Sequence, residues 1–322
     1  MRETIDVTAL VDGQRISRFL IGIILLGFLA QIGDGYDLAA AAYAAPGIVH
    51  AWHISRSSLA PVFSTRLFGM FFGAPLFGYV GDRYGRRIAI IICSLLLGAF
   101  TLATASAHTL LELGVLRFLT GVGLGGLPAN TIAIMAEYAP RRSRALLITL
   151  MFMGITFGGI VPAVVTTIAP AAGWQVLFIV GGFIPVIAAV LNLLFMPESL
   201  KFLALHHASN PQLVKIARKM RPDISVRADT EFLFAHHSQT RFSPRMLFID
   251  KLRWITPLIW VMFITNLMAN FFLNSWMPTL FRASGLTASQ AAFTTSMYYV
   301  GGIIGGIAGH WTVQASGASQ FL

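Results

Sequence analysis

Charge is what this sequence has least of. Only 11% of its 322 residues are Asp, Glu, Lys or Arg, and 13 of them are acidic. A soluble domain carries about a quarter charged residues, so this chain cannot clothe a water-exposed surface of its size. Cysteine is almost missing as well. Cys93, alone within the apolar run IAIICSLLLGAF, excludes an internal disulfide and reads as a small hydrophobe. Ser/His/Asp, metal and phosphate constellations are lacking at the ends of the apolar runs, which argues against an enzyme and gives no reason to expect a cofactor. The abundance is apolar, with 56% hydrophobic residues and a mean hydropathy of +0.73. A net charge of +10 would suit nucleic acid, but the basic residues fall between apolar runs instead of gathering on one segment, so nucleic acid is not expected.

A hydrocarbon layer about 30 Å thick takes roughly 20 apolar residues per helix. Eight stretches meet that length: 19–47, 59–80, 88–107, 110–133, 145–169, 174–196, 255–279 and 288–311. The first is too long, and too interrupted by acids, for a signal peptide. The runs also exceed the ten-residue alternating segments of an outer-membrane barrel. The expected class is all-α, a polytopic membrane protein. Of the 23 Lys and Arg, only Arg56 and Arg282 fall in the odd-numbered loops, and Arg66 and Arg117 lie inside spans. By the positive-inside rule this places the N-terminus (1–18) and the long segment 197–254 in the cytoplasm of a cell whose inner, plasma membrane the chain crosses. That segment reads as a solvated linker with an interfacial amphipathic stretch around Leu213 to Met220. Its pairs His206–His207 and His236–His237 lack Cys or carboxylates at ligand spacing, so no metal is assigned.

Displaced by 232 residues, the start of the chain matches its end: Pro46 meets Pro278, Ser64 meets Ser296, and Gly69, Gly73 and Gly85 meet Gly301, Gly305 and Gly317. Residues 255–322 therefore read as the opening of a second copy of a six-span bundle covering 19–196. In that copy Asp82, Arg83, Arg86 and Arg87 become Gln314, Ala315, Ala318 and Ser319, so the ending VQASGASQFL reads as degenerated or frame-shifted.

Four groups of residues carry candidate chemistry. Asp34 and Asp37 lie midway along span one, three apart and so on one helical face, where a carboxylate is costly unless it meets a cavity or a partner. Either they exchange protons or they pair with a buried arginine for packing. Arg117 opens RFLTGVGLGGLPAN in span four, and its partner is either an acid of span one or an anionic substrate. The glycines there have no preceding strand and serve helix packing, not a dinucleotide. GYVGDRYGRR, from Gly78 to Arg87, brings Asp82, Arg83, Gly85, Arg86 and Arg87 to the cytoplasmic end of span two, with Glu137 and Arg144 at the next cytoplasmic loop. Such charges latch a conformation when paired, or serve only topology. Asn266, Asn270 and Asn274 share one face of span seven and either line a polar cavity or bond a neighbouring helix. Arg66, on the face of Gly69 and Gly73 in span two and about two turns from the outer surface, could snorkel outward and is given no function.

These residues together resemble the major facilitator superfamily, through G-x-x-x-D-R-x-G-R-R at Gly78–Arg87 and R-x-x-x-G-x-G-x-G-G at Arg117–Gly126. DGYD in span one, GGLPAN followed by AEYAP, and FFLNSWMPTL in span seven are similar to its aromatic acid:proton symporters. The resemblance implies twelve spans, of which eight are recognised here, and a chain truncated at its C-terminus. It implies proton coupling or substrate movement at Asp34 and Asp37, and contact with the anionic substrate or a proton relay at Arg117; Asn270 and Asn274, as the lining of a polar cavity, are the further candidates for substrate binding. Asp82, Glu137 and Arg144 would form a cytoplasmic gate. The substrate would be a small aromatic carboxylate, such as a hydroxybenzoate, moved inward with protons by alternating access. Another organic acid, a sugar-like metabolite, or an inactive fragment are the alternatives. Partners would be the bilayer, the substrate and protons, and no oligomeric interface is specified.

Overall fold

The computed structural model describes residues 4–169, 172–206, 211–222, 230–233, 247–249 and 252–315. The pairs at His206–His207 and His236–His237 lie outside the described residues, apart from the backbone of His206, as does the chain beyond 315 with Gly317, Ala318 and Ser319.

Eight long helices carry the architecture: α2 (Arg18–Trp52), α3 (Ala60–Tyr84), α4 (Arg86–Thr104), α5 (Leu110–Tyr138), α6 (Arg144–Ile168), α7 (Gln175–Phe195), α10 (Leu252–Ala283) and α11 (Ala288–Ala315). Among the described residues seven helical stretches are long and apolar enough to cross a membrane. The expected eighth span is a 28-residue helix, α11, which is not among those seven stretches. Several helices outrun their apolar cores by a turn, because a helix continues beyond the hydrocarbon until a cap stops it. Ser17 caps α2 through its hydroxyl, and α2 ends at His53 in the left-handed conformation. Thr109 caps α5 by accepting from the Glu112 amide, while the Glu112 carboxylate accepts from the His108 amide at 2.9 Å.

Glycine sets how closely the helices approach. A methyl group at Gly69 would strike the Phe118 carbonyl, and one at Gly121 the Arg66 carbonyl, so α3 and α5 pack backbone to backbone. Without a hydrophobic drive between helices in lipid, such contacts supply the van der Waals attraction. In the same way α2 lies against α6 at Gly35, Gly154 and Gly158. The other half meets this bundle where α11 packs on α6 and α10 on α2.

The segment after α7 differs from the expected solvated linker with an interfacial stretch. Strand β1 (Thr4–Asp6) pairs in parallel with β2 (Glu231–Leu233), the one small addition among the described residues to an otherwise helical fold. Helix α1 (Val7–Asp12) and α9 (Pro211–Met220) follow these strands or lie between them, with α8 (Leu200–His206) leading in from α7. The apolar side of α9, with Leu213, Val214, Ile216, Ala217 and Met220, is buried in one cluster with Val7, Leu10 and Val11 of α1 and Leu20 and Ile23 of α2. The correction has a simple cause: protein covers the amphipathic face that would otherwise have lain in the membrane interface. Asp12 accepts from the Arg141 amide at 2.9 Å and Arg142 donates to the Gln14 carbonyl at 2.9 Å, tying the N-terminal segment to the α5–α6 loop.

Candidate functional site

A charge cluster sits inside the bundle, halfway along α2. Asp37 is fully buried and accepts three hydrogen bonds: from Arg66 Nε at 2.9 Å, Arg117 Nη1 at 2.6 Å and Thr101 Oγ1 at 3.2 Å. Arg117, on α5, is 1% exposed, and its Nη2 donates to Thr104 at 2.9 Å and Thr120 at 3.4 Å. Its guanidinium lies 5.0 Å from the centre of the Phe178 ring. Arg66 also donates from Nη2 to Asp34 at 3.1 Å. Two acids and two arginines thus sum to zero formal charge, as burial in an apolar medium demands.

Arg66 does not snorkel outward. It is 6% exposed and turns into the bundle with Gly69 and Gly73, three and seven residues on, which face α5. Small residues mark the face of close helix approach, so the glycines on its own face were the signal that Arg66 points inward. Thr101 and Thr104, donors and acceptors from α4, carried no such signal.

Beside this cluster a cleft of about 220 Å³ opens between α2, α3, α5 and α10. Arg66 and Arg117 line it, with Phe63, Phe272, Ser275 and Trp276 among the rest. The Phe63 and Trp276 rings meet edge to face, 6.0 Å apart. The volume is below the range of about 300–1,000 Å³ typical of drug-sized ligands, and suits a single-ring molecule. Two cations and several aromatic walls favour a small anion with an apolar body.

Asn270 and Asn274 stand next to the cleft but turn toward α11. Asn270 donates to Tyr298 Oη at 2.9 Å, and Asn274 accepts from Tyr299 Oη at 2.5 Å while donating to Asn270 Oδ1 at 2.8 Å. Of the two alternatives for these amides, helix bonding is the one this geometry displays. Their neighbours Ser275 and Trp276 reach the cleft instead.

The cytoplasmic charges form a second cluster. Arg86 bridges Asp82, at 2.8 Å, and Glu137, at 3.5 Å. Glu137 also accepts from Ser199 Oγ at 2.6 Å and the Lys201 amide at 3.2 Å. Arg87 donates from its backbone to Glu198 at 3.1 Å and from its side chain to the Leu193 carbonyl. Gly85 turns the chain at φ +106°, and a methyl group there would collide with the Glu198 carboxylate. Arg144 stays on its own turn, donating to the Ala139 carbonyl at 3.3 Å, so it does not reach Asp82. Arg83 stacks on Tyr84, and a methyl group at Gly78 would meet open space. Glu198 and Ser199, which carry no local sequence mark of these partners, join the helix ends because the segment after α7 folds back beneath α4 and α5. Every pair named here lies within the first six membrane helices and the segment directly after them.

Residues 23–320 match the model of the family described as Major Facilitator Superfamily. The chain belongs to the major facilitator superfamily. It is 35% identical over 326 residues to the 4-hydroxybenzoate transporter PcaK of Acinetobacter baylyi, covering 100% of this chain and 71% of that one. The gallate transporter of Pseudomonas putida is 33% identical over 320 residues, covering 99% and 71%. The benzoate transport protein of A. baylyi is 30% identical over 318 residues, covering 96% and 68%. In fold the chain is similar to the partially occluded, inward-open xylose transporter XylE of Escherichia coli, with a TM-score of 0.68 and 18% identity over 93% of this chain and 72% of that one. This superfamily member is therefore a multi-pass membrane transporter with a small-molecule substrate, and not an enzyme.

Proposed function

We propose that the chain carries a small aromatic carboxylate, of the hydroxybenzoate kind, into the cell together with protons, by alternating access. The observation that carries this reading is the cleft: its aromatic walls and two cations stand beside a buried pair of acids, in a chain that is similar throughout to transporters of 4-hydroxybenzoate, gallate and benzoate. Asp34 and Asp37 make up the proton-coupling site. Arg117 fixes Asp37 and adds positive potential for the anion, and Asn270 and Asn274 set the wall of α10 that the substrate meets. Residues 19–196 form one rocking half, 255–322 belong to the other, and 197–254 link them in the cytoplasm with residues 1–18. The positive-inside count supports a plasma-membrane protein with its N-terminus in the cytoplasm. The cytoplasmic gate comprises Gly78, Asp82, Arg83, Gly85, Arg86, Arg87, Glu137 and Arg144, whose Arg86–Asp82 and Arg86–Glu137 pairs break and re-form as the cytoplasmic side opens.

Competition tests the substrate class. Uptake of labelled 4-hydroxybenzoate into cells producing this chain is expected to be blocked by gallate and benzoate and unaffected by xylose. Competition by xylose alone would overturn the reading.

A further inference from the structure

We propose that Arg66 is the carboxylate anchor of the cleft, and that the substrate displaces Asp34 from it. The idea rests on the reading of the chain as a proton-coupled carrier of aromatic acids, and assigns the step that couples the two cargoes.

The two arginines are not equally available. Both terminal nitrogens of Arg117 are committed inward, to Asp37, Thr104 and Thr120, and the side chain is 2% exposed. Arg66 lines the same cleft with a lighter commitment. Its Nε holds Asp37, its Nη2 holds Asp34 through one contact of 3.1 Å, and its Nη1 makes no hydrogen bond among the described residues. A guanidinium offers a carboxylate two parallel donors, and on Arg66 that fork needs only Nη2 to be vacated.

The two acids are unequal in the same sense. Asp37 keeps three donors on two oxygens, so losing one leaves it paired. Asp34 accepts from Arg66 alone among the described residues, and its side chain is 12% exposed against 1% for Asp37. It sits one helical turn from Leu38 and two from Ala41, both of which line the cleft.

Charge conservation then fixes the proton. An incoming anion would make the neutral cluster negative in an apolar medium, which is strongly unfavourable. When the substrate carboxylate takes Nη1 and Nη2 of Arg66, the released Asp34 carboxylate binds one proton from water and becomes a neutral acid. The cluster returns to zero charge, with one proton for each singly charged anion. Release inverts the step: the carboxylate leaves, Asp34 gives its proton to water on the other side, and the Arg66–Asp34 pair re-forms. The rings of Phe63 and Trp276 wall the cleft above the fork and take the apolar body.

Calorimetry on the whole purified chain tests the exchange, with 4-hydroxybenzoate and its uncharged amide, 4-hydroxybenzamide, as probes in buffers of different ionisation heat. The intact protein is expected to prefer the acid and to take up one proton as it binds. Asp34→Asn leaves Arg66 without its competitor, so it should bind the acid about tenfold tighter or more, with no proton uptake. Asp34→Asn with Arg66→Gln removes both charges together and keeps the Asp37–Arg117 pair; it should lose the preference for acid over amide by about tenfold or more. A double variant that binds the acid as the parent does, or Asp34→Asn that still takes up a proton, would overturn the anchor alone. If the double variant did not fold, the single Asp34→Asn would still decide the matter. No binding of the acid by the intact protein would overturn the aromatic-acid reading and the anchor together.

Discussion

Arg117 Nη1 and Asp37 Oδ1 lie 2.6 Å apart, joining α5 to α2 across the middle of the bundle with both side chains sealed from water. The contact is charge-assisted and short, and the polar groups around it are Arg66, Asp34 and three threonines. Removing one partner of such a pair leaves an uncompensated charge, whereas the pair itself contributes less than its Coulomb attraction suggests.

Asp37→Asn is therefore expected to destabilise the protein by about 3–5 kcal/mol, since it strips Arg117 of the only carboxylate it pairs with among the described residues. Asp34→Asn is expected to cost less, because Arg66 retains Asp37. Thermal unfolding in detergent compares the two. Equal melting temperatures would contradict the unequal partnerships described for these acids.

Glycine at the α3–α5 crossing provides a second test. Gly121→Ala should push Arg66 and its helix away from α5 and reduce the yield of folded protein, while Gly78→Ala, whose new methyl group meets nothing, should fold like the parent. Yields in reversed order would show that α3 is rotated relative to the arrangement described.

The cytoplasmic cluster predicts a separation of binding from movement. Arg86→Gln breaks the bridge between Asp82 and Glu137, and Asp82 stands at the opposite end of α3 from the cleft residues Ala60, Val62 and Phe63. It should lower the rate of uptake severalfold and leave the affinity for 4-hydroxybenzoate within about twofold, as expected of a latch that acts on conformational populations. A large loss of affinity with an unchanged maximal rate would rule out the gate.

How much of this was legible in the sequence depends on the range of each signal. The helices were plain, because long apolar runs leave little choice in a membrane. Asp34, Asp37 and Arg117 announced themselves as charges in such runs. Counting turns to the surface measures the depth of Arg66 but ignores rotation about the helix axis; its place on the face of Gly69 and Gly73 carries the inward direction. The partnership of Arg87 with Glu198 joins residues far apart in the chain, and neither carries a local mark of the other. Strands of three residues have no periodicity to read, so the pairing of β1 with β2 left no trace in the sequence. The amphipathic pattern of α9 was readable, but a pattern shows that an apolar face is covered and not what covers it.

Counterflow isolates another consequence of the exchange between substrate and proton. Exchange of labelled for unlabelled substrate across the membrane does not require the empty carrier to return, so Asp34→Asn should retain exchange while losing accumulation. Loss of both, in a variant that still binds 4-hydroxybenzoate, would place Asp34 in the conformational change itself.

The most direct measurement is uptake of labelled 4-hydroxybenzoate into proteoliposomes containing this chain, with and without an imposed proton gradient. Accumulation above the external concentration is expected when the lumen is alkaline, with collapse on adding a protonophore. Uptake that equilibrates without accumulating, or that ignores the gradient, would contradict proton-coupled transport at the Asp34–Asp37 cluster.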